Sequence, residues 1–235
     1  MEFQKLQAPS LKELFVREIE NRILSGELEI GSQLPTEREL AEQLGVSRTV
    51  VNAGIAVMAG KGFLEIKPRI GVFVADYRRQ GTVETLVSIM SYNGGMLCRA
   101  EIRSILEFKI MIDTLSLRRL VPNLTDEDTD ILFVHLERLR NSTRPAETAE
   151  AAFGFYHELC VRSGNTFSPL FYFSFKLPIT NLWQRYTRLY GPTSIYEHTE
   201  RLFGLMVARD LPAALLWVEE FISQSIEGIR EIYME

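Results

Sequence analysis

Cysteine is scarce: Cys98 and Cys160 are the only two in 235 residues. They stand far apart, with no companion Cys or His at metal-ligand spacing. That sets aside a disulfide framework and a zinc module and leaves free, buried thiols as the expectation. Long apolar runs are missing as well. No stretch of about 18 apolar residues occurs, so the sequence offers no membrane-spanning helix, and Met1-Glu2-Phe3-Gln4-Lys5 lacks the basic-then-apolar order of a secretory signal. A cytoplasmic chain with no membrane partner is expected. Nucleophile-elbow, phosphate-loop and metal-protease signatures are also absent, which argues against an enzyme of those classes. Positive charge is in short supply: 26 Lys and Arg against 31 Asp and Glu give a net charge of -5. Such acidity opposes long-range association with phosphate, so any nucleic-acid contact must rest on local charge.

Hydrophobic residues make up 46% of the chain and charged residues 24%, an ordinary globular balance, and the length suggests two domains. The acidic excess is not uniform. Between Ser47 and Arg78 the cations Arg48, Lys61, Lys67, Arg69 and Arg78 outnumber Glu65 and Asp76, for a local charge of +3.

From Leu11 to Ser25 the residues Leu11, Leu14, Phe15, Ile19, Ile23 and Leu24 recur at helical spacing and predict one buried stripe ended by Gly26. Pro35, then Thr36 and Glu39 as a capping box, start a second helix through Leu40, Ala41 and Leu44 to Gly45. Ser47 is a favoured N-cap for a third. Two short helices joined at a glycine corner are what a helix-turn-helix requires, with the second helix leading its N-terminal end into the major groove. Val50, Val51, Ile55 and Met58 form its buried side, leaving Arg48, Thr49 and Asn52 outward. Phe63–Ile66 and Val72–Val74 read as two strands around a basic turn, a wing that places Lys67 and Arg69 near phosphates or a minor-groove edge.

The fold class that follows is mainly α: a winged helix-turn-helix of three helices and a two-stranded wing over residues 8–77, a linker at 78–82, and over 83–235 an antiparallel all-α bundle of about six or seven helices. Those helices are expected near 83–91, 97–120, 126–141, 146–163, 169–190, 194–208 and 211–233, with Pro178 kinking or splitting the fifth. Gly54 within the third helix should cost about 1 kcal/mol relative to alanine. A close helix crossing and simple drift explain it equally well.

Leu34-Pro35-Thr36-Glu37-Arg38-Glu39-Leu40-Ala41, then Leu44-Gly45-Val46-Ser47-Arg48-Thr49 and a glycine-ended wing, closely resemble GntR-family transcriptional regulators over roughly the first 75 residues. The helical remainder resembles the FadR subfamily with its FCD-type effector domain, through Glu101-Ile102-Arg103 with Glu107, Phe155-Tyr156-His157 leading to Ser163-Gly164-Asn165, and Glu197-His198 ahead of Arg209-Asp210. The resemblance implies that Arg38, Arg48 and Thr49 contact DNA, that Ser47 aids backbone contacts and that Gly71 shapes the wing tip. After Val51 the family's usual Arg-Glu-Ala-Leu is Asn52-Ala53-Gly54-Ile55 here, which suggests an adenine contact by Asn52 or a different operator.

Relatives of this kind hold a divalent metal through an aspartate, a histidine four residues later and two more histidines. Here His157 and His198 stand at two of those positions, but the aspartate position is Phe153 and the third histidine position Phe221. A metal such as zinc, if bound, would have only His157 and His198, so a metal-free pocket is favoured. Arg103, Tyr156, His157, Asn165 and His198 are the candidate effector-binding residues, the arginine pairing with carboxylate or phosphate, and His135 lies on a helix face. The aromatic segment Phe167–Tyr190 is core with a share in a ligand wall, which fits a carboxylate or acyl-type small molecule. The expectation is a homodimeric repressor on a palindromic operator of double-stranded DNA, whose operator affinity changes when that effector binds. The alternatives are an architectural DNA-binding dimer without effector and a metal-dependent enzyme using His157 and His198.

Overall fold

The computed structural model describes residues 9–92 and 99–232. Leu97, Cys98 and Tyr233, which figured in the expected helices and thiols, lie outside the described residues. The chain divides into two compact units, residues 1–94 and 95–235.

In the first unit α1 (Leu11–Leu24) opens on a capping box: Ser10 Oγ accepts from Glu13 N at 3.2 Å and Ser10 N donates to Glu13 Oε2 at 2.8 Å. It buries Phe15, Val16, Ile19 and Ile23. Leu11 and Leu14, expected in that stripe, are exposed instead, because the buried face is centred on Phe15 and Ile19, which pack on the following helices. α2 (Glu37–Leu44) repeats the box with Thr36 and Glu39, and the hydrogen bonds that Thr36 N and Oγ1 donate to Glu39 Oε2, at 2.8 Å each, hold the Glu39 carboxyl below its ordinary pKa. α3 (Arg48–Gly60) buries Val51, Gly54, Ile55 and Met58.

The wing strands β1 (Leu64–Lys67) and β2 (Gly71–Val74) pair antiparallel, Leu64 opposite Val74 and Lys67 opposite Gly71. The segment before α2 joins them, a pairing that no local pattern in the sequence announces. Gly31 N donates to Val74 O, Val74 N to Ser32 O and Leu34 N to Val72 O, each at 2.9 Å, and Gln33 bridges Phe73. The wing is thereby tied along its second edge.

The residues expected to form a linker are structured. Tyr77–Gln80 form the short α4, with the Tyr77 ring 5.3 Å from Phe63, and Val83–Ser91 form α5. Lys61 Nζ sits 2.7 Å from Glu20 Oε1, which also accepts from Ser88 Oγ at 3.0 Å, and Thr85 Oγ1 donates to Lys61 O. These contacts attach residues 83–91 to the first unit, whereas composition alone put a linker at 78–82 and started the second domain at 83.

The second unit is helical among its described residues: α6 (Arg99–Leu120), a 3-10 turn at Val121–Asn123, α7 (Asp126–Arg140), α8 (Pro145–Arg162), α9 (Ser168–Ser174), α10 (Lys176–Tyr190), α11 (Pro192–Val207) and α12 (Leu211–Glu227). α8 packs against α6, α7 and α10 and is the bundle's centre, while α12 covers α6. Its Phe155, Tyr156, Leu159 and Cys160 are fully or almost fully buried, each large side chain removing about 1.5–3 kcal/mol worth of apolar surface from water. The expected helix at 169–190 is indeed split, but at Phe175 rather than at Pro178. Pro178 falls in the first turn of α10, where its missing N–H leaves no helical bond unmade. Arg209, at a left-handed φ of 57°, hooks the 3-10 turn through Nη1 to Pro122 O (3.0 Å) and Nη2 to Leu124 O (2.7 Å).

Candidate functional site

Gly45 takes φ 65° and ψ 33° between α2 and α3, the left-handed corner that only glycine adopts at little cost. Ser47 then enters α3 extended, and its Oγ accepts from Val50 N at 3.3 Å. The hydroxyl is used as a helix cap, with its own proton left to donate outward. Arg48, Thr49 and Asn52 are all exposed along one side of α3, opposite buried Val51, Ile55 and Met58; Val50 is half-buried. The exposed end is also the positive end of the helix dipole, which suits phosphate.

Arg38 projects from the first turn of α2 and pairs with exposed Glu42, Nε to Oε1 at 3.1 Å. Such a pair contributes about 0.3–0.5 kcal/mol and does not hold the arginine away from another anion. Lys67 Nζ lies 3.4 Å from Glu65 Oε2 and 4.8 Å from the Phe73 ring centroid. Arg69 takes φ 65° at the wing tip and is exposed. Arg38, Arg48, Lys67, Arg69 and Gly71 line one open groove between the starts of α2 and α3 and the wing, with Glu37 as its acidic member. Ser47, Thr49 and Asn52 flank that groove on α3.

Gln33 belongs to this site although nothing in the sequence singles it out. Its Nε2 donates to Ile70 O at 3.0 Å, and a Cβ on Gly71 would come within 2.3 Å of that same nitrogen. Gly71, at φ 148°, is required both by its conformation and by this close approach. No local signal marks Gln33, because its partner is far along the chain.

The candidate effector residues of the helical unit do not converge. Arg103 is ion-paired with Glu227 and lies 3.8 Å from Glu107, on a surface cleft between α6 and α12. Asn165 Oδ1 accepts from Phe167 N and Ser168 N at 2.9 Å each, so its side chain is spent on starting α9. His157 is half-buried and stacks on Phe153, centroids 5.7 Å apart at 11°. His198 is buried and stacks on Phe221 at 3.5 Å and 18°. Tyr156 is buried under another group, Lys109, and burial pushes its phenol pKa far up. The phenylalanines at the two positions where the resemblance led metal ligands to be expected therefore stack on His157 and His198. Among the described residues no cluster of three or more His, Cys, Asp or Glu side chains could hold a metal, and this donor set does not fit a zinc site.

What the interior does contain is Lys109, 4% exposed, ion-paired with fully buried Asp113 one turn on. The ammonium lies 3.6 Å from the Tyr156 ring centroid and 5.4 Å from that of Trp183, a cation between aromatic faces. Asp113 Oδ1 has no hydrogen-bond partner; burial pushes the Asp113 carboxyl pKa up, and Lys109 pulls against that shift. A Lys and an Asp four apart on the apolar face of a long helix was the sequence signal for this pair. The adjoining cavity, about 20 Å³, has room for little beyond a water molecule.

Comparison with known proteins agrees with the N-terminal geometry. Residues 11–74 match the family described as bacterial regulatory proteins, gntR family. The HTH-type transcriptional regulator Mce2R of Mycobacterium tuberculosis is 33% identical over 110 residues, 47% of this chain and 45% of its own length. The chain thus spans about half of that curated relative. An uncharacterized HTH-type transcriptional regulator of the same species is 26% identical over 236 residues, covering 95% of this chain and 91% of its own. Among solved structures, that of Lar, described as controlling expression of the Listeria monocytogenes agr system and mediating virulence, has a TM-score of 0.63 at 12% identity and covers 93% of this chain and 96% of its own. It shares the fold across nearly the whole length. Residues 11–74 are thus a winged helix-turn-helix of the gntR family of bacterial regulatory proteins.

Proposed function

We propose that the chain is a transcriptional regulator that binds double-stranded operator DNA as a homodimer and acts as a repressor, its helical domain taking a small organic acid or acyl-type effector that changes operator affinity. The observation that carries the DNA-binding part is the exposed Arg48-Thr49 end of α3 beside a groove lined by Arg38, Lys67 and Arg69. Arginine can bridge guanine O6 and N7, and asparagine can bridge adenine N6 and N7, so Arg48 and Asn52 are suited to base edges. Lys67 and Arg69 are suited to phosphates or the minor groove. The description of the relatives as HTH-type transcriptional regulators supports the same reading.

A two-fold dimer of such heads calls for a palindromic operator with half-sites about 34–36 Å apart or a multiple of that. Effector binding that shifts the spacing or rigidity of the heads would couple to operator affinity by about 1–3 kcal/mol, or 5- to 150-fold. Selection of bound sequences from a random DNA pool tests the reading. Enrichment of an inverted repeat, bound by two chains in analytical ultracentrifugation, is the expected result; binding with no sequence preference overturns it.

A further inference from the structure

The inner face of the wing runs on past the core. Leu64 and Val74, opposite each other on the two strands, are buried, and the same face continues toward the tip through Ile66 and Val72, again an opposed pair. Ile66 is 51% exposed and Val72 half-buried. At the tip Ile70 is 65% exposed, more than any other large apolar side chain of the first unit among the described residues. All three line the groove that also takes Arg38 and Arg48.

A single exposed isoleucine is ordinary on a protein surface. This one is set apart by how it is held. Ile70 N donates to Lys67 O at 3.0 Å, closing the turn, and Ile70 O accepts from Gln33 Nε2 at 3.0 Å. Gln33 is anchored in turn, since Leu34 N donates to Val72 O at 2.9 Å and Gln33 itself bridges Phe73. Pro68 fixes its own φ, and the β-branched side chain of Ile70 has few rotamers to lose. The backbone beneath Ile70 is therefore fixed while its side chain stands in water.

The surrounding charge says what the tip meets. Arg38, Arg48, Lys67 and Arg69 border the apolar strip, with Glu37 as the acidic member, so the complementary occupant is a polyanion. With α3 in the major groove, the wing reaches the neighbouring minor groove. Thymine methyl groups lie on the major-groove side, and the base edges in the minor groove offer hydrogen-bonding atoms that isoleucine cannot use. The large apolar surface open to Ile70 there is the base stack itself, reached by parting two base pairs.

We infer that Ile70 is a wedge that enters the minor groove between two base pairs, kinks the duplex toward the major groove and selects a pyrimidine–purine step at that point. Such steps, TA and CA/TG, are the most easily unstacked, so a side chain that makes no hydrogen bond to any base still contributes to the sequence recognised. The inference rests on the reading of the chain as an operator-binding protein and adds readout by deformation to the direct readout assigned to Arg48 and Asn52.

The test uses the full chain and the inverted repeat selected from the random pool, labelled at both ends for energy transfer and carrying 2-aminopurine at each pyrimidine–purine step in turn. The wild type should bend each half-site by at least about 20° and raise the 2-aminopurine fluorescence at a single step per half-site. Ile70→Ala should lose most of the bend and the fluorescence rise, while Ile70→Leu keeps both. Replacing that step by AA should weaken the wild type by about tenfold and Ile70→Ala by less than about threefold. The slope of log affinity against log salt should be the same for both proteins, because no charge is removed. Both hydrogen bonds of Ile70 are made by backbone atoms, so Ile70→Ala should keep the wild-type melting temperature. A selected operator that lacks such a step, that stays straight when bound, or that bends equally with Ile70→Ala overturns the wedge and leaves the operator reading standing. Failure of the selection to enrich any inverted repeat removes both.

Discussion

The Phe15 ring occupies the space that a side chain on Gly54 would need: a Cβ there would stand 2.1 Å from Phe15 Cδ1 and 2.6 Å from Cε1. α1 and α3 cross at this point, so the glycine is set by packing, and of the two explanations open in the sequence the close crossing is the correct one. Alanine should gain about 1 kcal/mol in helix propensity and lose about 1–3 kcal/mol to overpacking. Gly54→Ala is therefore expected to lower the melting temperature of the N-terminal unit, and Gly54→Ala with Phe15→Leu to restore part of it. Thermal unfolding followed by circular dichroism checks both.

Arg48 is exposed and makes no contact needed by the fold. Arg48→Ala should weaken binding to the selected operator by about 1–3 kcal/mol without moving the melting temperature, and relax specificity at one base pair per half-site. Fluorescence anisotropy on the operator and its single-base variants reads this out.

Lys67→Ala should behave differently from Arg48→Ala. With Lys67 on a phosphate, as proposed, its removal should weaken all sequences alike and lower the slope of log affinity against log salt by about 1 per site. A sequence-dependent loss would reassign Lys67 to base readout.

Burial, reinforced by the charges of Lys109 and Arg230, holds the His198 pKa well below the ordinary imidazole value. The unfolded chain takes up a proton as pH falls through about 6.5 while the folded chain does not, so the unfolded state binds more protons and stability drops with falling pH. Above that pH the imidazole is neutral in both states and contributes no slope. His135 is lowered too, chiefly by burial, and adds in the same direction. Melting temperatures from pH 7.5 to about 5 should fall more steeply for the wild type than for His198→Phe, whose ring fits the stack between Trp217 and Phe221.

Removing one member of the buried pair on α6 strands the other. Lys109→Met is expected to destabilise by about 3–5 kcal/mol, while Lys109→Met with Asp113→Leu regains most of that loss, since a matched apolar pair is often neutral or stabilising. Denaturant unfolding of the three proteins gives the coupling directly.

Local signals were the readable ones. Gly45 and the caps at Thr36 and Ser47 act within four residues of themselves, so the two helices and their corner could be placed from sequence alone. The residues that failed to read depend on distant partners: Gln33 on Ile70, Gly54 on Phe15, Lys61 on Glu20 and Ser88. Residues 83–91 look like any amphipathic helix, and only those last contacts assign them to the first unit. In the helical unit the resemblance located His157 and His198, but Phe153 and Phe221 showed their meaning only once each ring was seen lying on its imidazole. The contacts of Arg230 with Tyr186 and Ser194 escaped because they come from the return of the chain at Gly228, which no periodicity announces.

The amide of Gln33 grips the wing tip from the stretch that leads into α2. The tip and the helix start therefore travel together as a lever with a fixed arm. In the proposed complex with DNA, a change of duplex width at Arg69 would be handed on to Arg38 rather than absorbed in a loose hairpin, which would make the width of the groove beside the site readable.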